Sequence, residues 1–375
     1  MKQGWEIKKL GEVCEVTMGQ SPSSDTYNDS EGLPFFQGNA DFGKIYPSIR
    51  VYCNAPVRIA EINDILISVR APIGAINIAN CKCSIGRGLA SIRKGDTVID
   101  KFIYHSLIAN REKLIAQGTG STFKSIGRDI LKNLLIPVPP ISEQERIVAE
   151  LDLLSGIIEK QKQQLKEYDT LAQSIFYTMF GDPITNEKGW EVKKLGEVCK
   201  TTSGGTPSKS HNEYYEGGTI PWLRSGEVDK MYIYDTELFI TEDGLNNSSA
   251  KWFPENTVVI AMYGATVGQV GILKNPMTTN QAICGIFPNG HFLPIYLYHF
   301  LMSKKQEYME LASGGAQPNI SQNIIRETLV GCPPLPLQQS FAAKVEAIEQ
   351  QKALIKQSLA EAETLFNSRM DYYFN

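Results

Sequence analysis

Residues that could perform catalysis are few and scattered in this 375-residue sequence. The two Pro-Pro pairs follow Val138 and Cys332, so they lack the acid or amide that a DNA methyltransferase places in front of such a pair. A glycine-rich phosphate loop of the Walker type is also missing. Asp182, Glu191 and Lys193 loosely fit an acid…Glu-x-Lys nuclease pattern, yet the equivalent triplet near the N-terminus has no acid upstream. We therefore predict no catalytic residue.

Histidine and cysteine residues form no recognisable metal or nucleophile pattern. The four histidines stand alone in the sequence, and we expect His105 and His299 to be structural. Cys14 and Cys199 each follow Gly-Glu-Val and are expected in strand cores. Cys81-Lys-Cys83 lacks two further ligands at a zinc spacing. No metal site is predicted.

The composition is that of an ordinary globular protein with at least two folded units. Hydrophobic residues make up 42% and charged residues 21%, and the length is roughly two to three times that of a usual domain. Seven cysteines without paired spacing predict reduced thiols. Without an apolar run of membrane-spanning length or a signal-peptide core, we expect a cytoplasmic protein. The net charge of −4 gives no overall basic signature, although residues 80–132 hold 10 basic and 4 acidic side chains.

An internal repeat sets the organisation of the chain. Residues 4–23 recur at 189–208 with 14 of 20 positions identical, at an offset of 185. After a net insertion of 9 residues, an offset of 194 aligns the remainder, so that Gln144 falls on Gln338. The chain therefore consists of two long tandem copies.

Each copy divides into two different parts. The first has short β-rich apolar runs separated by Gly, Pro and Asn clusters, which predicts a mixed β domain with a few helices. The second follows the Pro-Pro pair and keeps a heptad spacing of apolar residues without Pro, which is typical of a coiled coil. The predicted seam contains Leu151, Leu154, Ile158, Leu165, Tyr168, Ile175, Val345, Ile348, Ile355, Leu359 and Phe366.

We expect the two long helices to pair with each other. Because 183–334 is long enough to let the second helix return antiparallel to the first, the pair would be intramolecular and pseudo-two-fold symmetric, with one globular domain at each end. The alternative is an amphipathic helix lying on its own domain, which needs a wider apolar stripe. The predicted fold is α+β, with domains at 1–140 and 183–334 and helices at 141–182 and 335–375.

The order of these parts resembles that of the specificity subunits of type I restriction-modification systems. The resemblance covers the whole chain and lies in four motifs, of which the first three are found in both copies. They are the Gly-Trp-Glu-x-Lys-Lys-Leu-Gly-Glu-Val entry, the Gly-x-Thr/Ser-Pro loop at 19–22 and 204–207, the strand-then-glycine stretches at 68–74 and 262–268, and the exit at 137–147. The second exit, at 335–340, departs from the pattern.

The resemblance implies two target-recognition domains, each reading one half of a bipartite DNA sequence. It implies that the two helices set the unread spacer and dock methyltransferase subunits. It also implies two methyltransferase subunits and two ATP-driven restriction subunits as partners. S-adenosylmethionine, ATP and Mg²⁺ would then be bound by those partners and no cofactor by this chain.

Candidate DNA-reading residues are polar side chains on loops, because amides and guanidinium groups can address base edges, and hydroxyls or lysines can hold phosphates. For any single one, a role in forming a turn is the alternative. In the first copy they are Gln20, Ser21, Ser23, Gln37, Asn39, Arg70, Arg87, Ser121, Thr122 and Lys124. In the second they are Thr206, Ser208, Lys209, Arg224, Ser225, Tyr263, Asn280, Gln281, Gln317 and Asn319.

Two other classes of function stay open at this point. One is a nuclease or methyltransferase too diverged to show its motifs. The other is a structural coiled-coil adaptor that binds only protein. Because phosphate neutralisation dominates DNA affinity and the chain is net acidic, a DNA reader of this kind is expected to bind weakly alone and tightly with basic partners.

Overall fold

The structure, a computed structural model, describes residues 4–119, 124–312 and 319–375. It divides into two compact units. Unit 1 comprises residues 1–162 and 356–375, and unit 2 comprises residues 163–355. The long helices are therefore not domains of their own, because each contributes residues to both units.

Unit 1 is a mixed α and β domain built from short strands. Its strands are β1 (Glu6–Lys9), β2 (Cys14–Met18), β3 (Tyr27–Asn28), β4 (Leu33–Phe36), β5 (Tyr52–Cys53), β6 (Ile59–Ala60), β7 (Ile65–Ser68), β8 (Ile76–Ile78), β9 (Cys83–Ile85), β10 (Leu89–Lys94) and β11 (Leu135–Val138). Its helices are α1 (Leu10–Val13), α2 (Asp100–Ala109), α3 (Arg111–Ala116), α4 (Arg128–Lys132) and the start of α5 (Ile141–Phe180). Short 3-10 turns occupy Ser24–Thr26 and Asn39–Asp41.

The strands of unit 1 form three sheets. The strand orders are β1-β11, β2-β10-β7-β8 and β3-β5-β4-β9-β6. All four residues of β7 are buried, as expected for a strand that contains the apolar run Ile65-Leu66-Ile67. The repeated Gly-Glu-Val motif forms α1, where the Glu12 carboxylate accepts from the Lys9 N–H at 3.1 Å. This bond satisfies a backbone donor at the start of the helix.

Unit 2 repeats this architecture. Its strands are β12 (Val192–Lys194), β13 (Thr201–Ser203), β14 (Ile220–Leu223), β15 (Tyr232–Ile233), β16 (Phe239–Ile240), β17 (Trp252–Phe253), β18 (Val258–Ala261), β19 (Val270–Leu273), β20 (Met277–Thr279), β21 (Ile283–Ile286) and β22 (Leu329–Gly331). Its helices are α6 (Leu195–Val198), α7 (Glu242–Asn246), α8 (Pro294–Ser303), α9 (Lys305–Ala312), α10 (Gln322–Glu327) and the start of α11 (Leu335–Phe374). The 3-10 turns are Asn212–Tyr214, Ser225–Glu227 and Gly264–Thr266. The sheets are β12-β22, β13-β21-β18-β19-β15 and β16-β14-β20-β17.

Strand pairing corrects the alignment of the two copies at one loop. In unit 1 Ser68 pairs with Leu89, whereas in unit 2 Ala261 pairs with Ile283. The strand β7 therefore matches β18 at an offset of 193, while β8 and β10 match β19 and β21 at 194. The single offset of 194 was wrong for this strand, because unit 2 has one extra residue in the following turn. Arg70 is consequently equivalent to Tyr263.

Each long helix packs on its own domain and beside the other helix. In unit 1, Ile147 and Leu151 near the start of α5 share a core with Tyr373 and Phe374 at the end of α11. In unit 2, the corresponding core joins the start of α11 to the end of α5, with ring centroids of Phe341 and Phe176 5.7 Å apart. Within each unit the two helix segments thus run antiparallel. The predicted α+β class and helix pairing are confirmed.

The heptad positions lie inward along both helices. All the predicted seam residues are buried or half-buried, whereas Leu153 is 66% exposed. Basic residues interrupt the seam of α11 at Lys352 and Arg369. In unit 2 the Lys352 ammonium lies 2.7 Å from Asp169, and in unit 1 the Arg369 guanidinium lies 2.9 Å from Glu150. Both ion pairs join one long helix to the other within a unit.

Helices long and apolar enough to cross a membrane do not occur within the part of the chain that the structure describes.

Candidate nucleic-acid interface

Four loops of unit 1 meet at one edge of its sheets. The strands β2, β7 and β9 end at this edge and β10 begins there, since Met18 pairs with Ala90 and Ser68 pairs with Leu89. The Gln20 N–H donates to the Ile85 carbonyl at 3.0 Å, and the Gly88 N–H donates to the Gln37 carbonyl at 3.2 Å. We call the edge formed by residues 19–21, 37–38, 69–70 and 86–88 the reading edge of unit 1.

Most of the predicted DNA-reading residues of unit 1 lie at this edge. Gln20, Gln37, Arg70 and Arg87 are exposed, and the Ser21 hydroxyl accepts from the Arg87 N–H at 3.3 Å. Lys124 is close by, because its neighbour Ser125 bridges to Arg70. Ser23 and Asn39 lie farther along their loops, where Ser23 precedes a 3-10 turn and Asn39 begins one. Turn formation is the role named as the alternative. Ser121 and Thr122 lie outside the described residues.

Glycine is required where the first loop crosses the edge. A Cβ on Gly19 would overlap the carbonyl oxygen of Gly86, and a Cβ on Gly204 in unit 2 would overlap the Thr279 side chain. This close approach explains the glycine of the repeated Gly-x-Thr/Ser-Pro motif. It lets the loop after β2 lie against the loop before β10. In unit 2 it lets the loop after β13 lie against the loop before β21.

Unit 2 has the same edge with different side chains. The Asn280 N–H donates to the Leu223 carbonyl at 2.9 Å, and the Met262 N–H donates to the Ala282 carbonyl at 2.8 Å. Tyr263 bridges to Asn319, as Arg70 does to Ser125. We call residues 204–206, 223–225, 262–263, 280–282 and 319 the reading edge of unit 2.

The predicted residues of unit 2 divide in the same way. Thr206, Arg224, Ser225, Tyr263, Asn280, Gln281 and Asn319 belong to its reading edge. Ser208 and Lys209 lie farther along the first loop, where the Ser208 and Ser210 hydroxyls are 2.7 Å apart. Gln317 lies outside the described residues. The side-chain oxygen of Asn280 is buried without a hydrogen-bond partner among the described residues.

The two edges differ in charge. In unit 1, Arg70, Arg87 and Lys124 have no ion pair with any residue that the structure describes. In unit 2, the Arg224 guanidinium is neutralised by Glu227 at 3.1 Å and Glu237 at 2.6 Å. Unit 1 therefore presents free cations at its reading edge, and unit 2 presents mainly amides and hydroxyls.

Two buried glutamines fix the long helices to their domains, and sequence reasoning had used them only for alignment. Gln144 is fully buried, and its amide binds the Ile99 N–H at 3.0 Å and the Thr97 and Pro139 carbonyls at 2.9 and 2.8 Å. Gln338 makes the equivalent three bonds in unit 2, including one from the Leu293 N–H at 2.8 Å. Identity at the same point of both copies was the signal for this role.

The repeated histidines occupy different environments. The His105 ring nitrogen Nε2 lies 3.2 Å from Asp152 on α5, and Lys101 lies 2.5 Å from the same carboxyl group. Both hydrogen bonds lower the pKa of Asp152, and the one with His105 has the larger effect. His299 is buried against the ring of Phe176, and neither of its nitrogens has a partner among the described residues. Burial lowers the pKa of His299 to about 4.

The acidic residues considered for catalysis bind their neighbours in sequence. The Asp182 carboxylate accepts from the Ile184 N–H, and Glu191 pairs with Lys193 at 3.1 Å. Burial raises the pKa of Cys14 to about 12 and that of Cys199 to about 11, so both thiols are poor nucleophiles. Cys199 follows α6 rather than lying in a strand. Across 4–119, 124–312 and 319–375, no three His, Cys, Asp or Glu side chains are grouped as metal ligands.

Comparison with known proteins assigns the same family to both copies. Residues 2–167 and 187–364 each match the family described as type I restriction modification DNA specificity domain. The putative type I restriction enzyme MjaX specificity subunit of Methanocaldococcus jannaschii is 41% identical over 172 residues, which cover 44% of this chain and 40% of that relative. The MjaIX specificity subunit of the same organism is 26% identical over 377 residues, covering 92% of this chain and 86% of that one.

A solved structure shares the fold over the full chain. The S subunit of a type I restriction-modification system from M. genitalium has 18% sequence identity and a TM-score of 0.61. The match covers 100% of this chain and 98% of that chain. This chain thus spans less than half of the first relative named above, but most of the second and of the solved structure.

Proposed function

Because this chain belongs to the type I restriction-modification DNA specificity family, we propose that each of its units reads one half of a bipartite DNA sequence through its reading edge. The observation that supports this most is the repetition of one edge with different polar side chains. Equivalent strands position Ser21, Gln37 and Arg87 in unit 1 and Thr206, Arg224 and Gln281 in unit 2. A shared frame with divergent loop residues suits two different half-sites.

The chain acts as a non-catalytic reader. Methyl transfer and ATP-driven cleavage belong to partner methyltransferase and restriction subunits, which bind S-adenosylmethionine, ATP and Mg²⁺. Support comes from the names of the relatives, which are specificity subunits. Because the chain carries a net charge of −4, it binds DNA tightly only together with more basic partner subunits.

The experiment is selection from randomised duplex DNA by the complex of this chain with its methyltransferase partners. We expect two specific blocks separated by a spacer of fixed length and unspecified sequence. A single block, or none, would contradict the proposal. The isolated chain is the control, and nanomolar site-specific binding by it at physiological salt would contradict the requirement for partners.

The paired helices set the length of the spacer in this proposal. Removing the central heptad from each helix, residues 159–165 and 354–360, shortens each by about 10 Å at about 1.5 Å per residue. We expect the preferred spacer to shorten by about three base pairs. Removal from one helix alone is the matched control, because it disrupts pairing without giving a shorter matched pair. An unchanged spacer in the double deletion would show that the helices do not measure it.

A further inference from the structure

The two reading edges carry different side chains at two equivalent positions. Strand register makes Arg87 equivalent to Gln281 and Ser21 equivalent to Thr206. In unit 1 the Ser21 hydroxyl binds the backbone N–H of Arg87. In unit 2 the Thr206 hydroxyl donates to the Gln281 side-chain oxygen. A guanidinium and a carboxamide thus extend from the same point of the same frame.

The guanidinium of Arg87 is available for a base. It is exposed and makes no ion pair with a residue that the structure describes. The acid of the neighbouring loop, Asp41, is already occupied, because it accepts from the Gln37 N–H at 2.7 Å and lies 2.6 Å from Arg50. A guanidinium has only donors, so it matches the two major-groove acceptors of guanine, O6 and N7.

Unit 2 presents a different set of donors and acceptors. Its own edge arginine, Arg224, is held by Glu227 and Glu237 and is not free. The Gln281 side chain is exposed, and its oxygen keeps a second lone pair while Thr206 orients it. A carboxamide oriented in this way offers one donor and one acceptor, which matches N7 and the N6 amine of adenine.

We propose that unit 1 reads a guanine through Arg87 and that unit 2 reads an adenine at the equivalent place through Gln281. This inference rests on the proposed function, since it assumes that the reading edges face DNA. It goes further by naming the base and the side chain in each half-site. It also makes binding by unit 1 the more salt-dependent of the two, because its edge has the free cations.

The test compares variants in the complex with methyltransferase partners, again by selection from randomised duplexes. For Arg87→Gln we expect the preference for guanine at one position of one half-site to fall about tenfold to a hundredfold, with the other half-site unchanged. For Gln281→Ala we expect the same loss for an adenine in the other half-site. Arg87→Lys keeps the charge but not the planar fork, so it should also weaken the guanine preference.

Lys82→Gln is the matched control. It removes one positive charge next to the start of β9, at the other end of the strand from Arg87, where Lys82 pairs with Glu61. It should leave both half-sites unchanged. Folding of each variant is checked by its assembly into the complex, and Arg87→Lys replaces Arg87→Gln if that variant fails to assemble.

The outcomes separate this inference from the proposed function. A bipartite site whose Arg87-dependent half lacks guanine would overturn the inference while leaving the function intact. Uniformly weaker binding by Arg87→Gln, with both sequence blocks unchanged, would also overturn it, because Arg87 would then hold a phosphate. Loss of any bipartite preference in the unmodified complex would instead contradict the proposed function.

Discussion

Replacing Gln144 by Met should detach α5 from the domain of unit 1 without emptying the space that the side chain fills. Methionine has nearly the length of glutamine but cannot bind the Ile99 N–H or the two carbonyls that the Gln144 amide now holds. Each buried polar group left without a partner costs about 1–3 kcal/mol. Three such groups, partly rehydrated, should lower the free energy of unfolding of unit 1 by about 3–6 kcal/mol. This is a large part of the stability of a usual domain.

Amide hydrogen exchange measures this loss of stability at the backbone N–H that Gln144 binds. The Ile99 amide, which precedes α2, should exchange about a hundredfold faster or more in Gln144→Met, because 3 kcal/mol corresponds to roughly that factor. The Leu293 amide, bound to Gln338 in unit 2, should not change. Gln338→Met should give the reverse pattern, and Gln351→Met, at an exposed helix position, should change neither. Unaltered exchange at Ile99 would refute the view that this glutamine fixes the helix.

Two further predictions concern titratable side chains of unit 2. The pKa of His299 is about 4 in the folded protein against an ordinary 6.5, so the unfolded chain binds more protons between these values. Folding stability should therefore fall by about 3 kcal/mol as pH is lowered from 6.5 to 4. His299→Phe should flatten that part of a chemical-denaturation series; the same slope in the variant would assign the pH dependence to another group. Lys352→Glu places a third carboxylate beside Asp169 and Glu349 and should cost about 2 kcal/mol or more. Lys356→Glu, at an exposed helix position, should cost little in a thermal melt, and equal costs would argue against the Lys352 ion pair.

The fold followed from the sequence because its strongest signals are long and repeated. A heptad seam sustained over two 40-residue helices leaves few alternative packings. Because each element occurs in both copies, a weak strand signal in one copy was supported by the equivalent segment of the other. Gln144 and Gln338 could have been assigned a structural role on the same ground, since both copies keep glutamine at this position.

The charge of the reading edges could not be read from the sequence in the same way. Arg224 and Arg87 are both loop arginines, but the contacts of Arg224 with Glu227 and with Glu237, 13 residues farther along the chain, show that it is neutralised. The one-residue shift at β7 was also hidden, because an insertion in a turn leaves the flanking apolar patterns intact. Loop side chains depend on contacts that are distant in sequence, and periodicity does not report these.

Some residues fix the fold that both units share, and others differ between the two reading edges. Equivalent glycines at 19 and 204 and equivalent glutamines at 144 and 338 fix the frame, and each is required by a backbone or side-chain contact that tolerates no substitute. Arg87 and Gln281 are not core residues, because both side chains are exposed. In unit 1 the backbone N–H of Arg87 binds Ser21, and in unit 2 the side-chain oxygen of Gln281 accepts from Thr206. Exchange of these side chains therefore changes the surface offered to a base without changing the core. A chain built in this way can acquire a new half-site in one unit while the other unit, and the helices shared by both, continue to work as before.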